Sequence, residues 1–475
     1  LHSNFVPESI TKNAEAGPAS ATKEQKMNPM KALTLFLLLT VPLANGGFAQ
    51  ETFSFSLAEA VNTALQNNPN LRASQLEQEI NRYQKAELTA SLLPSVSASA
   101  GVTHFLDQAT VFLPANFFNP QASEGEFIET QFGLPNSGNV GITGQWMLYN
   151  QAVYNGYKVL RTQSQLTDIQ LEKEQDKLAY TVSQLYYGIA FAELQKDLLE
   201  ANLQDMNQLL ATMESSHQNG LIKQVELDKV AVNKVNLESQ LSNVAHAIQS
   251  QENLLKLFMG LPENTQLMLT DQFDETELAP ILETQVYAER TPDYAALTKQ
   301  MELNLLERKN IRSAQLPTLG LVYNYSHNWT GEELGSLFSS QLNYPQQYVG
   351  LNLNVPIFSG GRNTAKLHQN EVKTYQLQYQ ADFLKDKINT DITNARLQYN
   401  QNVQAISTRS HNVEVAQKVY AQTTLEYQQG LVPLSEVINS ETALRESQSQ
   451  YLKALSNALM ALLDYQKASG TLIHN

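Results

Sequence analysis

The stretch Tyr427-Gln428-Gln429-Gly430-Leu431-Val432-Pro433-Leu434-Ser435-Glu436-Val437 decides the fold. Upstream of it, Arg362 to Gln429 contains neither glycine nor proline, and downstream Leu434 to Ser469 contains neither. A glycine closing a long helical run, a proline within three residues and an acid in the next first turn are helix-stop and helix-start signals. At about 1.5 Å per residue the upstream run would extend about 100 Å, far beyond a globular helix. The turn is therefore the far end of a very long helical hairpin.

The same turn occurs earlier in the chain. Gly220-Leu221-Ile222-Lys223-Gln224-Val225-Glu226-Leu227 matches Gly430 to Val437 at an offset of 210. Gly260 and Gly470, each after a helix end, share that offset, and Val140-Gly141 and Val349-Gly350 lie 209 apart. A constant offset over such a distance is an internal duplication, which outranks any single motif.

Met27-Asn28-Pro29-Met30-Lys31, the apolar run Ala32 to Leu43 and then Gly47-Phe48-Ala49 read as a secretory signal cut after Ala49. The run is short of the ~20 residues a membrane anchor needs. Residues 1–26 would then be an artefact of start-site choice or an unusual leader. The full chain carries a formal charge of −15 and no cysteine. Without cysteine there is no disulfide, thiolate metal site or lipid-anchor residue. An acidic exported protein is a poor nucleic-acid binder. After the signal no stretch reaches eighteen apolar residues, so helical membrane spans are not expected.

In the mature chain, Ser56-Leu57-Ala58-Glu59 has the spacing of a capping box opening a short helix through about Gln66. Asn68-Pro69 and Thr291-Pro292 each open a further helix, about Asn70 to Leu92 and Asp293 to Gln315, and each runs into a proline, Pro94 and Pro317. After each proline the period changes from 3.6 to 2. Val96, Ala98, Ala100 and Val102 alternate with small polar residues, as do Leu319, Leu321, Tyr323 and Tyr325. Return strands carry Val140, Ile142, Trp146 and Leu148, and Val349, Leu351, Leu353, Val355 and Ile357. Strands of ten or so residues with one polar face have the length of tilted membrane strands. Phe105, Trp146, Tyr149, Tyr323, Tyr325, Tyr348 and Phe358 are candidates for an interfacial girdle. Two hairpins of an ordinary half-buried sheet would alternate equally well. If these strands do form a barrel, four per chain cannot enclose a channel, so copies must associate. The expected loops are residues 106–138 and 327–347, on the outer side.

Each hairpin returns into a long helix whose apolar residues, such as Leu384, Ile388, Ile392 and Ala395, form one modest stripe among Gln, Asn and Ser. That fits coiled-coil packing beside water. A helix from Leu221 to Met259 plus one of the shorter helices nearly equals one long helix, so the pieces can stack end to end. The expected organisation is a leader and signal peptide over 1–49, a first repeat over 50–260, a mid-height linking belt over 261–290 that includes Pro262, Asp271, Asp274 and Pro280, and a second repeat over 291–475.

With the duplication, the signal, the proline-strand-loop-strand-helix order and the two turns Tyr427-x-x-Gly430-Leu431-Val432 and His217-x-x-Gly220-Leu221-Ile222 in view, the chain resembles the TolC-like outer-membrane efflux protein family over residues 51–472. The resemblance implies a mainly α fold with a membrane β-barrel portion. Three protomers would each give four strands to one barrel, surrounded by outer-membrane lipid, and the helices would continue it as a periplasmic α-barrel. It implies the exit duct of a tripartite efflux or type I secretion system, served by a periplasmic adaptor and an inner-membrane transporter of RND or ABC type. By position, Glu226 and Glu436 fall where the family places carboxylates near its periplasmic constriction, and Tyr427 matches a gate tyrosine. Val432 stands where an arginine can occur and Asn439 where a second acid can, which implies a less charged gate. Gly220, Leu221, Ile222, Gly430, Leu431 and Val432 resemble the tip surface that meets the adaptor. From the residues alone, Glu226 and Glu436 are also simply first-turn acids favoured by the helix dipole, and Tyr427 a packed helix-end aromatic.

No catalytic constellation is present. The eight histidines form no His-x-x-x-His or other ligand pair, and no Walker A motif occurs, so the chain is read as a non-enzyme without cofactor or metal. The competing reading is a periplasmic coiled-coil adaptor or structural envelope protein, whose strands would form a small soluble domain.

Overall fold

The computed structural model describes residues 52–472 apart from 119, 122, 272–277 and 283–286. The expected leader and signal, and Asp274 of the linking belt, lie outside the described residues. The chain begins with β1 (Thr52–Phe55), α1 (Leu57–Asn67) and α2 (Pro69–Ala90). Ser56 and Glu59 form the capping box in both directions, with the Ser56 N–H donating to the Glu59 carboxylate at 2.9 Å. β2 (Ser95–His104) then leads through β3 (Thr110–Pro114) and β4 (Phe127–Gln131) to β5 (Asn136–Tyr149). α3 (Gln151–Gln218) and α4 (Gln224–Met259) form the first long hairpin. β6 (Gln266–Leu269) pairs in parallel with β1, tying the linking segment to the start of the chain.

The second half repeats the order: α5 (Pro292–Ser313), β7 (Thr318–Gly331), β8 (Asn343–Asn354), α6 (Arg362–Gln428) and α7 (Leu434–Ser469). Element lengths repeat too. α2 and α5 have 22 residues each, α4 and α7 have 36 each, and α3 and α6 have 68 and 67. α5 packs on both α3 and α6, whereas α2 packs along α3.

The helices share no single core. Small apolar clusters are strung along the rods instead, and buried positions recur every seven residues: Leu199, Met206 and Met213 on α3, Val230 and Leu237 on α4, Ile392, Tyr399 and Ile406 on α6. A seven-residue period keeps one seam of each helix facing its neighbour along the whole length.

The strands form one antiparallel sheet in the order β2-β5-β7-β8, so β2 and β8 are its edges. They are longer than the sequence suggests: β5 starts at Asn136, β7 reaches Gly331 and β8 starts at Asn343. The polar Asn328, Thr330 and Asn343 and the helix-breaking Pro345 conceal that continuation, although pairing proceeds through Trp329 and Asn343. Within one protomer β8 is an edge strand of the sheet, a position where proline is tolerated. Inside the first loop, β3 and β4 make a separate two-stranded sheet that the expected loop 106–138 did not contain.

Candidate functional site

The two helical turns have the same backbone solution. Gly220 and Gly430 adopt left-handed φ values of +72° and +74°, and the N–H groups of Leu221 and Leu431 close back on the Ser216 and Glu426 carbonyls at 2.9 Å. This is the six-residue closure of a Schellman cap, which needs a residue without Cβ strain at the glycine. The following helices start after Lys223 and Pro433, neither of which supplies a side-chain cap. Glu226 and Glu436 occupy the third helical position of each, their N–H groups on the Lys223 and Pro433 carbonyls at 3.0 Å. Carboxylates there offset the uncapped N–H groups and the helix dipole.

Leu221 and Leu431 stand 76% and 69% exposed at the tips, while Ile222 and Val432 are half-buried. Ile222 packs against the tip cluster of Met206, Met213, Val230, Leu434 and Val437. The duplication is not symmetric at its first cap residue. His217 turns its Nδ1 to the Ile222 carbonyl of its own turn at 3.1 Å. Its repeat equivalent Tyr427 instead reaches across to α3 and donates to Met213 Sδ at 3.1 Å. Burial pushes the Tyr427 phenol pKa up, and the charge of Glu226 adds to the rise, so the hydroxyl keeps its proton. Glu226 and Tyr427 are thus brought together electrostatically, whereas Glu436 and Asn439 sit exposed on α7.

The sequence reading passed over Glu441. It continues the seam Leu434-Glu441-Gln448-Leu455, and a polar residue at a seven-residue interval from two leucines is the signal that could have revealed it. Only 8% exposed, its carboxylate oxygens accept no hydrogen bond of ordinary geometry, and Arg445 Nη1 approaches no closer than 3.8 Å. Burial raises its pKa; Arg445 and the Thr442 side chain oppose this, and Asp205 on α3 adds to the rise. Tyr420 on α6 feels both Asp205 and Glu441.

The sheet register separates two faces. Val96, Ala98, Ala100 and Val102 of β2 pair with Gly144, Ile142, Val140 and Gly138 of β5, which pair with Tyr323, Tyr325, His327 and Trp329 of β7. Leu319, Leu321 and Tyr323 in turn pair with Leu353, Leu351 and Val349 of β8. Val96, Val140, Ile142, Val349, Leu351 and Leu353 are all exposed on this face. The opposite face carries Ser97, Thr143 and Asn324, with Asn324 Nδ2 donating to Thr143 Oγ1 at 2.9 Å. Trp146 and Tyr149 lie at the helix-proximal end of the apolar face, where Trp146 Nε1 donates to the Leu92 carbonyl at 2.9 Å. A bulge between Met147 and Tyr149 brings Tyr149 opposite Leu319. Phe358 is exposed just before α6, and Phe105 follows the last residue of β2. Tyr323 and Tyr325 stand on the apolar face but halfway along β7. Tyr348 corrects the sequence reading: it pairs with Asn324 and so shares the polar face, because an odd step along β8 points away from Val349 and Leu351. Trp329 was missed, since it lies where a loop was expected.

Residues 60–261 and 285–471 match the family model described as "Outer membrane efflux protein". The chain belongs to the outer membrane efflux protein family. Among relatives, the alkaline protease secretion protein AprF of Pseudomonas aeruginosa is 22% identical over 420 residues, 87% of this chain and 84% of that protein. Outer membrane protein TolC of Escherichia coli K12 is 20% identical over 458 residues, 92% of this chain and 86% of that one. Among solved structures, the Campylobacter jejuni CmeC outer membrane channel superposes with a TM-score of 0.67 at 15% identity, covering 87% of this chain and 85% of that chain, which shows the shared fold. As a member of the efflux protein family, the protein is an outer-membrane exit channel of a tripartite efflux or secretion system, with its helical part in the periplasm. Its role is transport and not catalysis, beside an adaptor and an inner-membrane transporter. Family membership decides against the adaptor or structural reading. Among the described residues, no helix is long and apolar enough to cross a membrane, and no group of three or more His, Asp or Glu could hold a metal ion.

Proposed function

We propose that three copies close one twelve-stranded barrel in the outer membrane and one helical duct below it, with the apolar sheet face toward lipid. The observation that carries this reading is the register, which gathers exposed Val, Ile, Leu and Tyr from all four strands on one face and Ser, Thr and Asn on the other. From Leu319 to Trp329 the apolar face runs roughly 34 Å along β7, about 25 Å across a bilayer at the tilt of barrel strands. Trp146, Tyr149 and Phe358 would form the periplasmic girdle and Phe105 would stand at the outer one; Tyr323 and Tyr325 fill the middle of the band.

The repeat supplies the interface between copies. α5 is held between α3 and α6, while α2, its equivalent, leaves Leu76, Ile80 and Tyr83 exposed, and α6 leaves Tyr375, Tyr379 and Phe383 exposed. Docking α2 of one copy on α6 of the next repeats the internal arrangement, and pairs the β2 edge with a neighbouring β8. In this reading residues 50–260 and 291–475 are the two repeats, with 261–290 as the belt between them.

Glu226, Tyr427, Glu436 and Asn439 form the periplasmic gate, and Gly220, Leu221, Ile222, Gly430, Leu431 and Val432 the tips offered to the adaptor. What supports the tip role is the exposure of Leu221 and Leu431 on turns rigidly closed by Schellman hydrogen bonds. The relatives AprF and PrtF are protease secretion proteins by name, and BepC is an outer membrane efflux protein. Both duties fit this duct. The test is the mass of the detergent-solubilised protein together with planar-bilayer recording. A trimer with discrete conductance is expected; a monomer without conductance would overturn the proposal.

A further inference from the structure

The second loop of the sheet, residues 332–342, does not simply extend away from the strands. Its one 3₁₀ turn, Leu334–Ser339, folds down onto the apolar face of the sheet. Leu337 is fully buried there, and a Cβ at Gly138 would stand 3.1 Å from Leu337 Cδ2 and 3.2 Å from Phe338 Cε1. Trp329 meets Phe338 edge to face with ring centroids 5.3 Å apart, and His327 tilts over Trp329 at 4.5 Å. Gly138 makes the space for the turn, since its neighbours Leu337 and Phe338 stand closer than a Cβ there would normally allow.

The loop is held firmly in that position. Asn136, fully buried, donates from Nδ2 to the Glu332 carbonyl at 2.7 Å, while its Oδ1 lies 2.8 Å from His104 Nδ1. Ser340 Oγ donates to the Thr330 carbonyl at 2.7 Å, and the Thr330 N–H donates to the Leu342 carbonyl at 3.0 Å. This fixed framework holds Leu334, Phe338 and Leu342 more than half exposed.

We infer that this turn is a membrane foot, seating Leu334, Phe338 and Leu342 at the boundary between headgroups and acyl chains of the outer leaflet. The inference rests on the lipid-facing reading of the apolar sheet face and extends it to a specific contact. The partner follows from position. The turn sits on β5 and β7, the two central strands, away from the β2 and β8 edges where a neighbouring copy would pair. It lies on the outward face and so does not cover the mouth of the barrel. It continues the exposed line of Ile142 and Tyr325 toward the outer rim. Amphipathic elements with aromatic and aliphatic side chains on one face settle at that depth.

The chain has no cysteine, so Leu334→Cys, Phe338→Cys and Ile142→Cys each give a unique labelling site. Each variant carries an environment-sensitive fluorophore and is reconstituted, with conductance verified, in phosphatidylcholine vesicles bearing nitroxides on the headgroup or near the chain end. The labels at 334 and 338 should be quenched more by headgroup nitroxides, and the label at 142 more by chain-end nitroxides. Quenching at 334 and 338 by aqueous iodide alone, with 142 still quenched from the chain end, would overturn the foot and leave the barrel intact. Loss of lipid quenching at all three positions would remove the barrel reading and the foot with it.

Discussion

Asn68 Nδ2 donates to the carbonyl of Phe258 at 2.8 Å, joining the last turn of α4 to the first turn of α2. The same side chain caps α2, its Oδ1 accepting from the N–H groups of Asn70 and Leu71 at 2.9 and 3.1 Å. One amide thus splices two helices into a stacked rod that runs beside α3. Asn68→Ala removes the cap and leaves the half-buried Phe258 carbonyl without its donor. A loss of about 1–3 kcal/mol is expected, read as a lower Tm of the solubilised protein and earlier proteolysis near residue 260.

The repeated glycines should not tolerate alanine equally. Gly260 has a φ of +67° and an added Cβ would fall 2.6 Å from the Asn67 carbonyl oxygen, so the junction itself must move. Gly220 has a similar φ but open space around it. Gly220→Ala should cost about 1–2 kcal/mol for the left-handed backbone alone, and Gly260→Ala clearly more. Paired thermal melts compare them directly.

Glu441 makes a pH prediction with a definite sign. Its folded pKa lies above the ordinary 4.5 chiefly because burial strips water from the carboxylate, with the charge of Asp205 adding to the rise against Arg445 and Thr442. A raised acid binds its proton more tightly in the folded chain, so the stabilisation is complete below about 4.5 and is lost as pH rises through the folded pKa. Acidification from neutral toward 4.5 should therefore tighten the α3, α6 and α7 contact locally. Glu441→Gln should flatten that dependence, and Glu441→Leu should raise stability at neutral pH by about 1–3 kcal/mol. Hydrogen exchange of α7 across this pH range is the measurement.

Tyr427 contributes a ring and a hydroxyl that can be separated. Tyr427→Phe keeps the packing against the tip cluster and loses only the 3.1 Å contact to Met213 Sδ, so a change within about 1 kcal/mol is expected. Tyr427→Ala removes the ring, though this half-buried position should cost less than the ~3–5 kcal/mol of a fully buried aromatic. Single-channel recording should show an opening effect for the alanine variant and little for phenylalanine.

Glu436 tests the gate. If three copies converge, Glu436→Ala removes three carboxylates from the narrow end and should shift the reversal potential in a salt gradient toward that of a non-selective pore. An unchanged reversal potential would leave Glu436 with only its dipole role at the start of α7.

The sequence by itself determined the rods and the duplication. Glycine, proline and acid signals act within a few residues, so the ends of α4, α6 and α7 and the shared turn at Gly220 and Gly430 could be read locally. The sheet faces were legible only in part. Alternation placed Val349 and Leu351 on one face and puts Tyr348 on the other, but the reach of β7 to Gly331 does not follow from local pattern, because partner strands supply the hydrogen bonds and fix the register. Glu441 was hidden for the same kind of reason. Its burial comes from packing between helices, and the charges it senses reach it from Asp205 on α3, distant in the chain. The turn at Leu334–Ser339 became visible only once Gly138, nearly two hundred residues earlier, was seen to make room for it. Local chemistry sets where elements begin and end; contacts between distant segments decide which side of each element meets water, lipid or protein.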